Sequence, residues 1–178
     1  MSTITQESTT IPAGTFVADT VHSSVGFEVP YAVATFSGTV RDFEASLVDG
    51  KVAGSARIES IQVKDENLEG HLLSPEFFDA ERHPVLTFAG NLERDGDQAR
   101  VVGEITLKSI TQPVVLESTI TGPAVDHFGS TRVGLKLQTV IDRTKFDMNW
   151  NMPLPNGEPA LANEVTLTAD LTLVGQEA

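Results

Sequence analysis

Along Val165-Thr166-Leu167-Thr168-Ala169-Asp170-Leu171-Thr172-Leu173 every odd position is apolar and every even one polar. Successive strand side chains point to opposite faces, whereas a helix needs its apolar residues three and four apart, so this run makes a strand with one buried and one wet face. Arg132 to Asp142 repeats the pattern with Val133, Leu135, Leu137, Thr139 and Ile141 inward. Similar runs cover residues 15–19, 23–29, 35–48, 51–59, 85–93, 98–107 and 114–122, and Asp49-Gly50 and Asp95-Gly96 supply tight-hairpin signals between them. About eight antiparallel strands follow, each with a single apolar face, and the fold class is all-β, as a closed barrel or a sandwich.

One segment departs from this rhythm. Leu68 and Leu72 stand four apart behind Asp65, a helix-capping residue, and Ser74-Pro75 supplies a second cap with a proline at the first helical position before Phe77-Phe78. Two short helices are expected between strands near residues 65–80. The 178 residues show no shift of composition, so they read as one domain over 13–178, behind a disordered tail over 1–12. Met1 to Pro12 holds no Lys, no Arg and no apolar run; it reads as the tail of a cytoplasmic protein rather than a signal peptide or membrane anchor, and no integral membrane segment is expected. Twelve basic against 25 acidic side chains give a net charge of −13, which phosphate backbones and anionic membrane surfaces would repel, so no nucleic-acid partner is expected. The absence of cysteine removes disulfides, thiolate catalysis and zinc-thiolate sites.

Side-chain size along the inward faces bears on whether the interior is filled. Gly54, Ala56, Gly90, Gly103 and Ala169 fall near the middles of these faces. An eight-stranded barrel is just wide enough to be packed by its own side chains or to hold one ligand, and missing side chains at mid-height favour a hollow apolar lumen. The same glycines and alanines also suit the bulges and bends that curve a sheet, and the pattern alone leaves both readings open. Ten-residue strands span about 33 Å, and a tilt of about 40° sets a barrel height of roughly 25 Å.

The polar constellations point away from catalysis. Asp19, His22, Ser23 and Ser24 lie close in sequence, but His22 and Ser23 face opposite sides of a strand, and His22 and Ser24 sit about 6.6–6.8 Å apart along one face. Neither pair forms a nucleophile with its base, and no Gly-x-Ser-x-Gly elbow occurs. Asp19, His22 and Ser23 instead suit backbone capping where the chain enters the sheet. His71 and His83 are twelve apart, with Glu76, Asp79 and Glu81 between them, which matches no short-spaced metal pair; no metal or other cofactor is expected, and those charges suit a solvated helical face. Arg143 and Lys145 are the one close basic pair in the chain that an anionic head group could use. The long connection from Thr144 to Asn163 carries Met148, Trp150 and Met152, suited either to a lipid chain or to plugging the barrel end.

Four stretches together resemble the YceI-like family of polyisoprenoid-binding, lipocalin-like barrels: Asp19-x-x-His22-Ser23-x-Val25-x-Phe27-x-Val29; His71-Leu72-x-Ser74-x-x-Phe77-Phe78-Asp79 with Pro84; Val102 to Val114; and Ile141-Asp142-Arg143-Thr144-Lys145-Phe146. The resemblance covers about residues 15–174. It implies an eight-stranded antiparallel barrel with a helical insertion near one end, enclosing a hydrophobic tunnel for an isoprenoid, quinone or fatty tail, often as a homodimer, with no catalysis established for the family. Three positions depart from the pattern: Tyr31, after Pro30, stands where members carry histidine, and Ser109 and Asp147 stand where glycine is usual.

The expectation is a non-enzymatic carrier or store of a long-chain isoprenoid-like lipid of polyprenyl, quinone or fatty-amide type. Its tail would lie along the barrel against Phe27, Phe36, Phe43, Phe88, Ile105, Leu116, Leu135, Leu137 and Leu167, and Leu72, Phe77, Phe78, Met148 and Trp150 would close the end. Because the basic residues are dispersed, a neutral or weakly charged head is favoured over a diphosphate. The alternative is an enzyme acting on a lipid or small molecule at the mouth through His22, Asp19 or His71.

Overall fold

The computed structural model describes residues 11–176. Its strands are β1 (Thr15–Ala18), β2 (Ser24–Tyr31), β3 (Ala34–Val40), β4 (Phe43–Val48), β5 (Lys51–Arg57), β6 (Ile61–Gln62), β7 (Val85–Asp95), β8 (Gln98–Leu107), β9 (Ile110–Val125), β10 (Thr131–Asp142) and β11 (Glu164–Gly175), all antiparallel. Bends at 19–23 and at Arg41-Asp42 divide β1 from β2 and β3 from β4, and a 3-10 turn at Ile58–Ser60 divides β5 from β6. Each pair is one long strand with a break, so the sheet is an eight-stranded up-and-down barrel, closed where β1 pairs with β11. Asp49 and Gly50 turn β4 into β5 with φ of 48° and 86°, the left-handed pair a type I′ hairpin requires, while between β7 and β8 Gly96 alone turns left-handed, with φ 64°.

The two ends of the barrel differ. At the end holding the 95–98 and 125–131 turns, Phe16, Leu47, Val101, Ile120, Val133, Leu135 and Leu173 interlock, and most have no exposed surface. At the opposite end the ladder comes apart twice. β3 meets β6 only at Thr39↔Gln62 and Val40↔Ile61, and β6 makes no pairing with β7 among the described residues. On the other side the β9–β10 ladder stops at Glu117↔Gln138. Side chains span that second seam: Thr139 Oγ1 donates to the Val115 carbonyl at 3.0 Å, Lys108 Nζ to the Asp147 carbonyl at 2.8 Å, and Gln112 Nε2 more weakly to the Lys145 carbonyl at 3.4 Å.

Both long insertions leave from this splayed end. The first carries helix α1 (Glu66–Leu73), where Asp65 Oδ1 accepts from the Asn67 and Leu68 amides as the N-cap. The second expected helix does not form. Ser74 terminates α1 by donating its hydroxyl to the His71 carbonyl, the Phe77 and Asp79 amides return to the Ser74 carbonyl, and Asp79 turns left-handed at φ 50°, so residues 74–82 are consecutive turns. Glu76, Asp79 and Glu81 therefore share no helical face, and Asp79 is buried.

Residues 1–10 of the expected tail lie outside the described residues. Its last two do not behave as a tail: Ile11 packs against the closed-end core and Pro12 is buried. Among the described residues no helix is long and apolar enough to cross a membrane.

Candidate functional site

The splayed end encloses an apolar cavity of about 490 Å³. The inward positions of β2 (Val25, Phe27, Val29 and Tyr31) form one wall with Phe36 and Val40 of β3. Ala56, Ile58, Ile61, Leu86, Leu107, Ile141, Val165 and Leu167 complete the barrel side, while Leu68, His71, Leu72, Phe77 and Phe78 come from the first insertion and Met148, Trp150 and Leu161 from the second. Alternation explains the greasiness: the contributing strands turn their apolar faces to the interior, with Thr35 of β3 a polar residue at the edge. Phe27 stands 6.0 Å from Phe36 and 6.3 Å from Phe78 between ring centres, giving one side of the cavity an aromatic lining.

Of the residues expected to hold a tail, Phe27, Phe36, Leu72, Phe77, Phe78, Met148, Trp150 and Leu167 are brought together around this cavity. The others are elsewhere. Phe43, Leu135 and Leu137 belong to the solid closed-end core, Phe88 and Leu116 pack between the two cores, and Ile105 is buried in the cavity-end core without lining the space. The lumen does not run the length of the barrel, and Gly54, Gly90, Gly103 and Ala169 do not line it. A Cβ on Gly103 would sit 2.1 Å from the Ala89 carbonyl oxygen, and one on Gly90 would sit 2.9 Å from both the Phe88 ring and Val101. These glycines admit neighbouring backbone and a ring; of the five small residues expected at mid-height, Ala56 alone borders the cavity.

Composition of the chain did not reveal Tyr31, Ile58, Ile61, Ile141, Leu161 and Val165 as lining residues. The signal available was topological. Both long connections, 63–84 and 143–163, leave the barrel at one end, and the residues flanking those departures line the cavity.

The second insertion is a strap, and Arg143 anchors it. Its guanidinium is buried and donates to the carbonyls of Ala162, Met148 and Trp150 at 2.8 Å each, and to that of Leu161 at 3.4 Å. Burial pushes its pKa down from the ordinary arginine value, with Asp142 nearby opposing the shift. Asn151 adds a second anchor, accepting from the Leu161 amide at 2.9 Å and donating to the Leu161 carbonyl at 2.7 Å. Lys145 is exposed, so Arg143 and Lys145 diverge and do not form a diphosphate clamp.

The mouth lies among the β2–β3 tip, α1 and the strap, where Tyr31, Thr35 and Leu68 line the cavity while remaining exposed. His71 bonds to Glu76 and stands edge-on to Phe77 and Trp150, with centroids 4.9 and 4.7 Å away. The Tyr31 hydroxyl and the Trp150 indole N–H have no hydrogen-bond partner among the described residues. Both are uncharged.

Asp19 and His22 form a separate constellation that does not line the cavity. His22 Nδ1 lies 2.7 Å from Asp19 Oδ2, and Arg132 lies between Asp19 and Asp126, 3.2 and 2.6 Å from their carboxylates. Ser23 turns away and accepts from the Thr172 amide at 2.9 Å. The hydrogen bonds from His22 and then Arg132 hold the Asp19 carboxyl down to about 2; Arg132 and the Ser130 amide do the same for Asp126. This network fastens the β1–β2 bend to the β9–β10 hairpin.

The sequence pattern of the YceI-like domain matches residues 16–173. Protein YceI of Escherichia coli O157:H7 is 25% identical over 140 residues, 74% of this chain and 73% of that protein. Among solved structures, a YceI protein of Campylobacter jejuni superposes with a TM-score of 0.70 at 21% identity, covering 82% of this chain and 88% of that one. A polyisoprenoid-binding domain from Saccharophagus degradans gives a TM-score of 0.71 at 9% identity, covering 93% of this chain and all of that one. At those identities the two structures show a shared fold.

Proposed function

The chain belongs to the YceI-like family, a family of lipid-binding barrels, and from that premise we propose that it is a non-enzymatic carrier or store of an isoprenoid-like lipid with a neutral or weakly polar head. One observation carries the reading: an almost wholly apolar cavity that opens at one mouth beside Tyr31, with the Trp150 indole in its lining. The polyisoprenoid-binding domain from Saccharophagus degradans, which shares the fold, supports the choice of ligand class.

At about 30 Å³ per non-hydrogen atom, the volume share of a liquid water, 490 Å³ takes about 16 atoms. Burying that many carbons contributes about 13 kcal/mol, against an association cost of about 4–15 kcal/mol. Only a tail that occupies most of the cavity therefore binds well. A quinone, prenyl alcohol or fatty amide would place its head against Tyr31 and Trp150. A diphosphate would find no convergent cations, since the Arg143 guanidinium is engaged by backbone carbonyls. Isothermal titration of a prenyl alcohol against its diphosphate tests this directly: the alcohol is expected to bind more tightly, and tighter binding of the diphosphate would overturn the assignment of the head group. Cytoplasmic residence and a homodimer belong to the same proposal, to be tested by cell fractionation and light scattering.

A further inference from the structure

The cavity stops well short of the closed end. Val25, Val40, Ala56 and Leu86 line it and also pack in or against the closed-end core, so they form its floor. Behind them Phe88 and Leu116 touch both cores without reaching the cavity. The Phe88 ring folds over Gly90, where a Cβ would come within 2.9 Å of Cζ, and the Gly90 and Gly103 backbones face each other across β7 and β8. The space left at Gly90 is thus taken by a phenylalanine ring, and that at Gly103 by the β7 backbone.

Resting on the isoprenoid-tail reading, we infer that this floor imposes a chain-length limit: a linear prenyl tail is enclosed up to about fifteen carbons, the number that about 16 atoms including a head oxygen allows. Ala56 sets the depth and Phe88 is the barrier behind it. Carbons beyond the limit remain outside the mouth in water and gain nothing from burial, so affinity must break against chain length.

Trp150 is the only tryptophan in the chain and lines the cavity, so its fluorescence reports occupancy without a label. Prenyl alcohols of ten, fifteen, twenty and twenty-five carbons are titrated below their aggregation concentrations. Binding is expected to tighten roughly tenfold or more from ten to fifteen carbons, and by less than about threefold for each unit beyond. Ala56→Leu adds three carbons at the floor; it should weaken the fifteen-carbon alcohol about tenfold while leaving the ten-carbon one within about threefold. Phe88→Ala removes six ring atoms and should move the break to twenty carbons.

Affinity that climbs unbroken to twenty-five carbons overturns the length limit while leaving lipid binding intact. A break that neither substitution moves overturns the assignment of Ala56 and Phe88. No binding by any alcohol overturns the underlying reading instead. Should Ala56→Leu fail to fold, Ala56→Val asks the same question with a smaller intrusion, and the wild-type series decides the limit by itself.

Discussion

Replacing Arg143 with methionine keeps an unbranched apolar stem and removes every donor. Three of its bonds, to the carbonyls of Ala162, Met148 and Trp150, are 2.8 Å long; the fourth, at 3.4 Å, counts for little. Hydrogen bonds from a charged donor contribute about 1.5–3 kcal/mol each, so the three sum to about 5–9 kcal/mol. Against this, the buried cation carries a desolvation cost of several kcal/mol that the variant recovers. The net expected loss is about 3 kcal/mol. Urea unfolding should show a lower midpoint at an unchanged slope, and because Met148 and Trp150 ride on the strap, native Trp150 emission should shift to the red. Arg143→Lys should lose nearly as much, since one ammonium cannot reach carbonyls spread around a planar fork. A loss below about 1 kcal/mol with unchanged Trp150 emission would refute the claim that Arg143 holds the roof of the cavity.

Gly103→Ala forces a methyl onto the Ala89 carbonyl and should cost about 3 kcal/mol in urea unfolding; a neutral result would mean that β7 and β8 are not in close approach. Asp65→Ala removes the α1 cap and should cost about 1 kcal/mol by the same assay. Asp19 and Asp126 have folded-state pKa values held down to about 2, below the unfolded range, so the stabilisation they give is complete above about pH 4 and drains away as pH falls toward 2. Carboxyl-carbon NMR titration of Arg132→Ala should show both carboxyls returning toward ordinary values, and unchanged titrations would remove Arg132 as their shared partner.

Strand alternation was legible because nearly every strand here has a wet outer face, and Asp49-Gly50 and Asp95-Gly96 marked hairpins because glycine enters the left-handed region without strain. Leu72, Phe77, Phe78, Met148 and Trp150 could be read as lying off the strands because their segments interrupt that alternation. What could not be read was what each glycine makes room for. Gly90 and Gly103 look the same in sequence whether the missing side chain admits a ligand, a ring or a neighbouring backbone, and only the pairing of β7 with β8 decides it. Ser74 was equally ambiguous: a serine before proline caps a new helix or closes the preceding one, and here its hydroxyl goes back to His71. The splaying of one end was also invisible, because a ladder that stops at Glu117↔Gln138 leaves the alternation on both strands undisturbed.

The most direct measurement is native mass spectrometry of the protein purified from cells with no lipid added. An apolar space of this size, closed over by Trp150 and sealed from below by Phe88, should retain its occupant and give an adduct of several hundred daltons that organic extraction recovers as a single isoprenoid-like class. A bare mass under gentle conditions, with Trp150 emission indifferent to added prenyl alcohols, would contradict it.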